Sequence, residues 1–136
     1  STTIQITRPI VIVDDSKAIA LKLQTYVEKL GYSDIHVYEN GKSGVKGCKN
    51  LFSEGKHPIL LLDMGLPDLE GDAVAEKLLK EKLDLQIVVI TADEKTTERV
   101  NKTLSSGVSA FIQKPFTLDE VKKAIDVAEA EYSLLQ

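Results

Sequence analysis

The stretch Ile59-Leu60-Leu61-Leu62-Asp63 decides how this sequence folds. Four bulky apolar residues run unbroken into a carboxylate, and Met64-Gly65-Leu66-Pro67 follows. A short apolar run bounded by turn residues predicts a strand buried on both faces. In an open α/β sheet, ligands bind in the crevice outside the carboxyl ends of such strands. Asp63 is therefore placed where a strand delivers a side chain into a site. In isolation it could equally open a turn, as Asp often does.

The neighbouring segments repeat the pattern. Pro9-Ile10-Val11-Ile12-Val13 is a β-branched run that ends in Asp14-Asp15-Ser16. Ser16 suits the N-cap of a helix carrying Ala20, Leu23, Val27 and Leu30 on one stripe, with Gly31 at its stop. Ile35 and Val37 alternate with His36 and Tyr38, as in a strand near a sheet edge. A helix over 41–52 presents Val45, Cys48 and Phe52, and its Gly44 and Gly47 predict the least regular helix of the set. Downstream of the central run, 68–82 reads as a helix with Val74 and Leu78 inward. Gln86-Ile87-Val88-Val89-Ile90 is a third buried strand and ends in Thr91-Ala92. A helix over 94–106 is closed by Gly107. Ser109-Ala110-Phe111-Ile112 is a short strand before Gln113-Lys114-Pro115. Thr117-Leu118-Asp119-Glu120 forms a capping box for the last helix, whose tail ends in Tyr132, Leu134 and Leu135.

Strand and helix thus alternate five times, without linker or repeat, in 136 residues. This predicts one (βα)5 domain of the α/β class, a five-stranded parallel sheet covered by helices on both faces. Residues 1–8 read as an N-terminal extension and 9–136 as the domain. The formal net charge of −4 lacks the basic footprint of a general nucleic-acid binder. The single cysteine, Cys48, excludes an internal disulfide and reads as a small core residue. No apolar run approaches the roughly 18 residues of a membrane span, and no signal peptide is visible. These features suit a cytoplasmic protein. The chain opens Ser1-Thr2-Thr3 without methionine, as a processed chain or an excised domain would. His36 and His57 have no partners at metal-ligand spacing.

Four strands deliver polar groups at the same end: Asp14-Asp15, Asp63, Thr91 and Lys114. Clustered carboxylates repel unless a positive charge joins them. Mg²⁺ fits, since it takes oxygen ligands and keeps several waters. A lysine and a threonine hydroxyl beside it suit one phosphoryl group. A carboxylate can itself be the nucleophile, forming an aspartyl-phosphate. No Gly-rich P-loop is present.

This ordered set resembles the receiver domain of two-component response regulators, which is similar to the chemotaxis regulator fold. The matching residues are Asp14-Asp15, Asp63, Pro67, Gly71, Thr91-Ala92 and Lys114-Pro115-Phe116, over about residues 8 to 130. The resemblance implies a doubly wound, flavodoxin-like sheet of order 2-1-3-4-5. It implies Asp63 as phosphoacceptor, with a sensor histidine kinase or phosphotransfer protein as donor. Mg²⁺ would be held by Asp15, Asp14, Asp63 and the Gly65 carbonyl. Lys114, preceding a cis Pro115, would neutralise the phosphoryl group. Thr91 and Phe111 would form the switch, although Phe111 serves equally as a core aromatic. A downstream effector would dock on the helix over 94–106, the fifth strand and the final helix. That face would include Lys95, Glu98, Arg99, Lys102, Lys122 and Lys123. Asp93 would tune autodephosphorylation, or simply cap the helix after it. The final helix would serve as a linker or a homodimer contact through Tyr132, Leu134 and Leu135. The resemblance implies neither direct nucleic-acid nor membrane binding.

Three competing readings remain at this point. A Mg²⁺-dependent phosphohydrolase of the haloacid-dehalogenase type would carry Asp-x-Asp, where this chain has adjacent Asp14-Asp15. A non-phosphorylated docking module would not need the intact set Asp14, Asp15, Asp63, Thr91 and Lys114. A flavodoxin-like cofactor carrier would need a phosphate-binding loop after the first strand.

Overall fold

The computed structural model describes residues 6–66, 71–81, 85–92 and 107–135. In chain order the elements are β1 (Ile10–Val13), α1 (Lys17–Lys29), β2 (Ile35–Tyr38), α2 (Gly41–Ser53), β3 (Ile59–Asp63), α3 (Gly71–Lys80), β4 (Gln86–Thr91), β5 (Ala110–Gln113) and α4 (Leu118–Leu134). The expected helix over 94–106 lies outside the described residues, as do Pro67 and Asp93.

All four strand pairings are parallel, and the sheet order is β2-β1-β3-β4-β5. The expected doubly wound, flavodoxin-like topology is present. Side-chain alternation splits each central strand between two layers. Ile10, Ile12, Ile59, Leu61, Val88 and Ile90 pack with Ala20, Leu23 and Val27 of α1 and Val121, Ile125 and Ala128 of α4. Val11, Val13, Leu60, Leu62, Ile87 and Val89 pack with Val45, Cys48 and Leu51 of α2 and Val74, Ala75 and Leu78 of α3. Helices therefore cover both faces. This double burial explains why β1, β3 and β4 are unbroken apolar runs. Each such side chain contributes about 1.5–3 kcal/mol by leaving water.

The helix ends follow the sequence signals. Ser16 Oγ accepts the Ile19 N–H at 3.3 Å, and Gly31 leaves α1 with φ of 104°. Thr117 and Glu120 form the capping box of α4. Helix α2 departs from expectation, since it runs unbroken for 13 residues from its Asn40 cap. Its glycines permit close approach. A Cβ on Gly44 would stand 2.5 Å from Val13 Cγ2, and one on Gly47 would stand 2.3 Å from the Tyr38 ring.

Residues 6–8, within the stretch read from sequence as an extension, pack onto the domain. The Ile6 N–H donates to the Gly31 carbonyl at 2.8 Å. The Arg8 guanidinium pairs with Glu129, donates to Gln86 Oε1 and to the His57 carbonyl, and lies 4.1 Å from the Tyr132 ring centroid. Tyr132 also packs on His57, so it is engaged within the fold, whereas Leu134 and Leu135 are exposed. Cys48 is fully buried, and burial pushes its thiol up to about 12.

Candidate functional site

Parallel pairing aligns the carboxyl ends of β1, β3, β4 and β5, and their polar termini meet there. Val13 pairs with Leu62, so Asp14 and Asp63 follow at neighbouring strand ends. The Asp14 N–H still donates to the Tyr38 carbonyl, which extends the ladder one residue past β1. Met64 donates to the Ile90 carbonyl, and Lys114 donates to the Thr91 carbonyl at 2.7 Å. The site is thus anchored on the sheet itself, with backbone bonds at each strand end.

Asp14, Asp15 and Asp63 each offer a carboxylate oxygen within 4.8 Å of the others. Asp14 and Asp63 are buried and Asp15 is exposed. The Lys114 ammonium donates to Asp63 Oδ1 at 3.1 Å and lies 3.5 Å from Asp14 Oδ2. The Lys114–Pro115 bond is cis. Asp15, Asp63, Met64, Gly65, Thr91, Ala92 and Lys114 line one cleft of about 300 Å³. Gly65 is exposed at its rim, and Thr91 is buried.

Charge within this cleft is unbalanced. Three carboxylates against one ammonium leave two negative charges when all are ionised. Burial, followed by the Asp63 charge, pushes the Asp14 carboxyl above its usual range; the Ser16 N–H and Lys114 oppose that shift. The Ser16 N–H serves Asp14 Oδ1 at 2.8 Å. Oδ2 of Asp14 is buried, and the one positive charge beside it among the described residues is the Lys114 ammonium at 3.5 Å. One ammonium shared between two buried carboxylates leaves that oxygen poorly served, and a further cation fits there. Hard oxygen donors suit Mg²⁺ or a similar divalent ion, so the residues fit the metal that the sequence implies.

Asp14, Asp15, Asp63, Gly65, Thr91 and Lys114 therefore come together as a group. Phe111 does not line the cleft; it is half-buried on β5 against the α2–α3 layer. Lys122 and Lys123 are exposed and pair with Asp126 and Asp119 one turn away. Lys95, Glu98, Arg99 and Lys102 lie outside the described residues. Sequence reading missed the Ser16 N–H as a carboxylate partner, although a residue in a helix-capping position was the available signal. It also missed Met64 as part of the lining.

Comparison with known proteins agrees with this geometry. The family model described as response regulator receiver domain matches residues 10–126. The transcriptional regulatory protein SrrA of Staphylococcus aureus is 36% identical over 112 residues, covering 82% of this chain and 44% of its own length. An uncharacterized transcriptional regulatory protein of Bacillus subtilis, YkoG, is 32% identical over 119 residues, covering 88% of this chain and 50% of its own. The chain thus spans about half the length of these curated relatives. A CheY-like response regulator receiver domain protein from Methanospirillum hungatei superposes with a TM-score of 0.83 at 24% identity, covering 96% of this chain and all of that one.

Proposed function

We infer that Asp63 is the phosphoacceptor from one premise: the chain belongs to the response regulator receiver family of two-component systems, and so is a phosphorylation-dependent signalling switch rather than a conventional enzyme. One observation carries the assignment. Asp63 ends the central strand with an ammonium 3.1 Å away and two more carboxylates within 4.8 Å.

In this reading a sensor histidine kinase or phosphotransfer protein presents a phosphohistidine at the cleft. An Asp63 carboxylate oxygen attacks phosphorus as the P–N bond breaks, and its electron pair leaves with the imidazole. Asp14, Asp15, Asp63 and the Gly65 carbonyl would hold Mg²⁺, which when bound supplies positive charge to the phosphoryl oxygens. Lys114 gives up its bond to Asp63 and neutralises another oxygen, which matters because positioning and charge carry most of such catalysis. Thr91 hydrogen-bonds the new phosphoryl group, and small Ala92 leaves it accessible. Water later hydrolyses the acyl phosphate, so the chain also catalyses its own reset.

Output is a population shift between two conformations, biased by the differential contacts of the phosphoryl group. Thr91 and Phe111 carry the shift to the surface that includes β5 and α4, where a downstream effector docks. SrrA and YkoG are transcriptional regulatory proteins by name, which supports transcriptional control as one output of such a switch. No helix among the described residues is long and apolar enough to cross a membrane; we place the protein in the cytoplasm, where the kinases of such systems act.

The test is incubation with acetyl phosphate and Mg²⁺, followed by intact mass measurement. The parent gains one labile phosphoryl group, and Asp63→Asn gains none. No gain in the parent, or an equal gain in the variant, overturns the assignment.

A further inference from the structure

Lys22 lies on α1, within two turns of the Ser16 cap, and its side chain is held at three points. Its ammonium donates to the Phe116 carbonyl at 2.9 Å, stands 4.6 Å from the Phe116 ring centroid, and stands 5.6 Å from that of Tyr26. The two rings meet edge to face at 75°. Phe116 is buried in the layer shared by α1 and α4. A lysine held by a carbonyl and two aromatic faces loses the mobility of an ordinary surface lysine.

The segment it holds is the one that carries Lys114. On one side of that segment the Lys114 N–H is bonded to the Thr91 carbonyl; two residues on, the Phe116 carbonyl is bonded to Lys22. Lys114 and its reach toward Asp63 lie within this doubly tethered stretch. Helix α1 also serves the opposite side of the cleft, because its cap residue Ser16 donates its N–H to Asp14 Oδ1. One helix therefore touches both halves of the charge cluster, the acids through Ser16 and the ammonium through Lys22.

We propose that Lys22 is a positioning residue that fixes the Lys114 loop, and so the Lys114 ammonium, for phosphoryl transfer. The proposal rests on the assignment of Asp63 as phosphoacceptor. Lys22 touches neither metal ligand nor phosphoryl group. Its loss leaves the acid cluster intact and loosens only the ammonium, and misplacement of a catalytic group by a fraction of an ångström is enough to slow a reaction.

The experiment compares the parent, Lys22→Met and Lys22→Arg. Met keeps the stem without the donor, and Arg restores a donor and a cation over the rings. The phosphorylation rate with acetyl phosphate is measured at saturating Mg²⁺, and Mg²⁺ affinity is measured separately by calorimetry. Lys22→Met is expected to react roughly tenfold more slowly, with Mg²⁺ affinity within about twofold of the parent and most of the rate recovered in Lys22→Arg. A general structural role would not split rate from metal affinity in this way. A Lys22→Met protein that reacts at the parental rate overturns the role of Lys22 while leaving Asp63 as acceptor. Equal slowing of both variants with weakened Mg²⁺ binding overturns it too. A parent that takes no phosphoryl group removes the Asp63 assignment and this proposal with it.

Discussion

The Lys114 ammonium lies 3.1 Å from Asp63 Oδ1, joining the end of β5 to the end of β3 across β4. In the proposed reading it holds the acceptor carboxylate in place before phosphorylation. Removing it takes away the one cation facing Asp14 and Asp63 among the described residues. Lys114→Ala should slow labelling by acetyl phosphate by roughly 10²–10³-fold, the usual loss for a preorganised charge-stabilising donor. Mg²⁺ binding should persist. A time course of intact mass checks the rate, and labelling at the parental rate contradicts the role.

Metal binding should appear in stability. The Asp14 carboxyl is raised by burial and by Asp63, so the metal-free fold binds its proton more tightly than the unfolded chain does. That contribution to stability is present at low pH and is lost as pH rises through the raised Asp14 value. Mg²⁺ would bind the ionised form and should reverse the loss at neutral pH. At a concentration of about 100 times the dissociation constant it should add about 2.7 kcal/mol. Melting curves with and without Mg²⁺ test this, and Asp15→Asn should lose most of the Mg²⁺ increment. A parent whose melting temperature ignores Mg²⁺ at neutral pH argues against a metal at these acids.

The two helical glycines of α2 should differ. Ala at either position gains about 1 kcal/mol of helix propensity. At Gly44 the new Cβ meets Val13, a short and fully buried side chain with nowhere to go. Overpacking of that kind costs about 1–3 kcal/mol, so Gly44→Ala should be destabilising on balance. At Gly47 the obstacle is the outer end of the half-buried Tyr38 ring, which can swing toward solvent. Gly47→Ala should cost less than Gly44→Ala, as urea unfolding would show. The reverse order would place the tighter constraint at Tyr38.

Among the described residues, Arg8 is the main polar anchor ahead of β1. Its guanidinium serves Glu129, Gln86 and the His57 carbonyl, and Gln86 is buried. Arg8→Ala strands those partners and should cost about 2–3 kcal/mol. Tyr32 donates to the other oxygen of Glu129 at 3.1 Å, so Tyr32→Phe should aggravate the loss less than additively. Denaturant titrations of the single and double variants measure both. Loss of less than about 0.5 kcal/mol in Arg8→Ala would class the cluster with ordinary surface pairs.

What the sequence discloses follows the range of the interactions. Runs such as Ile59–Leu62 and Ile87–Ile90 announce double burial through consecutive apolar residues, and Ser16 and Thr117 announce helix starts through neighbours a few residues away. The acids and Lys114 could be grouped because parallel strands put their carboxyl ends together. Gly44 and Gly47 were misread because propensity describes an isolated helix, whereas their reason lies in Val13 and Tyr38 on adjacent strands. Arg8 meets Glu129 across 121 residues, and Lys22 meets Phe116 across 94. No local pattern encodes such pairs; only the packed chain brings them within reach.

The Arg8 cluster also bears on how motion travels. Helix α4 starts just after Lys114, at the Thr117 cap, while Glu129 and Tyr132 near its other end are gripped by Arg8, Tyr32 and His57. A rod clamped at its far end moves as a lever. Should the switch move the first turn of α4, the grip on Glu129 and Tyr132 would make that motion a tilt about the far end rather than a slide of the whole helix.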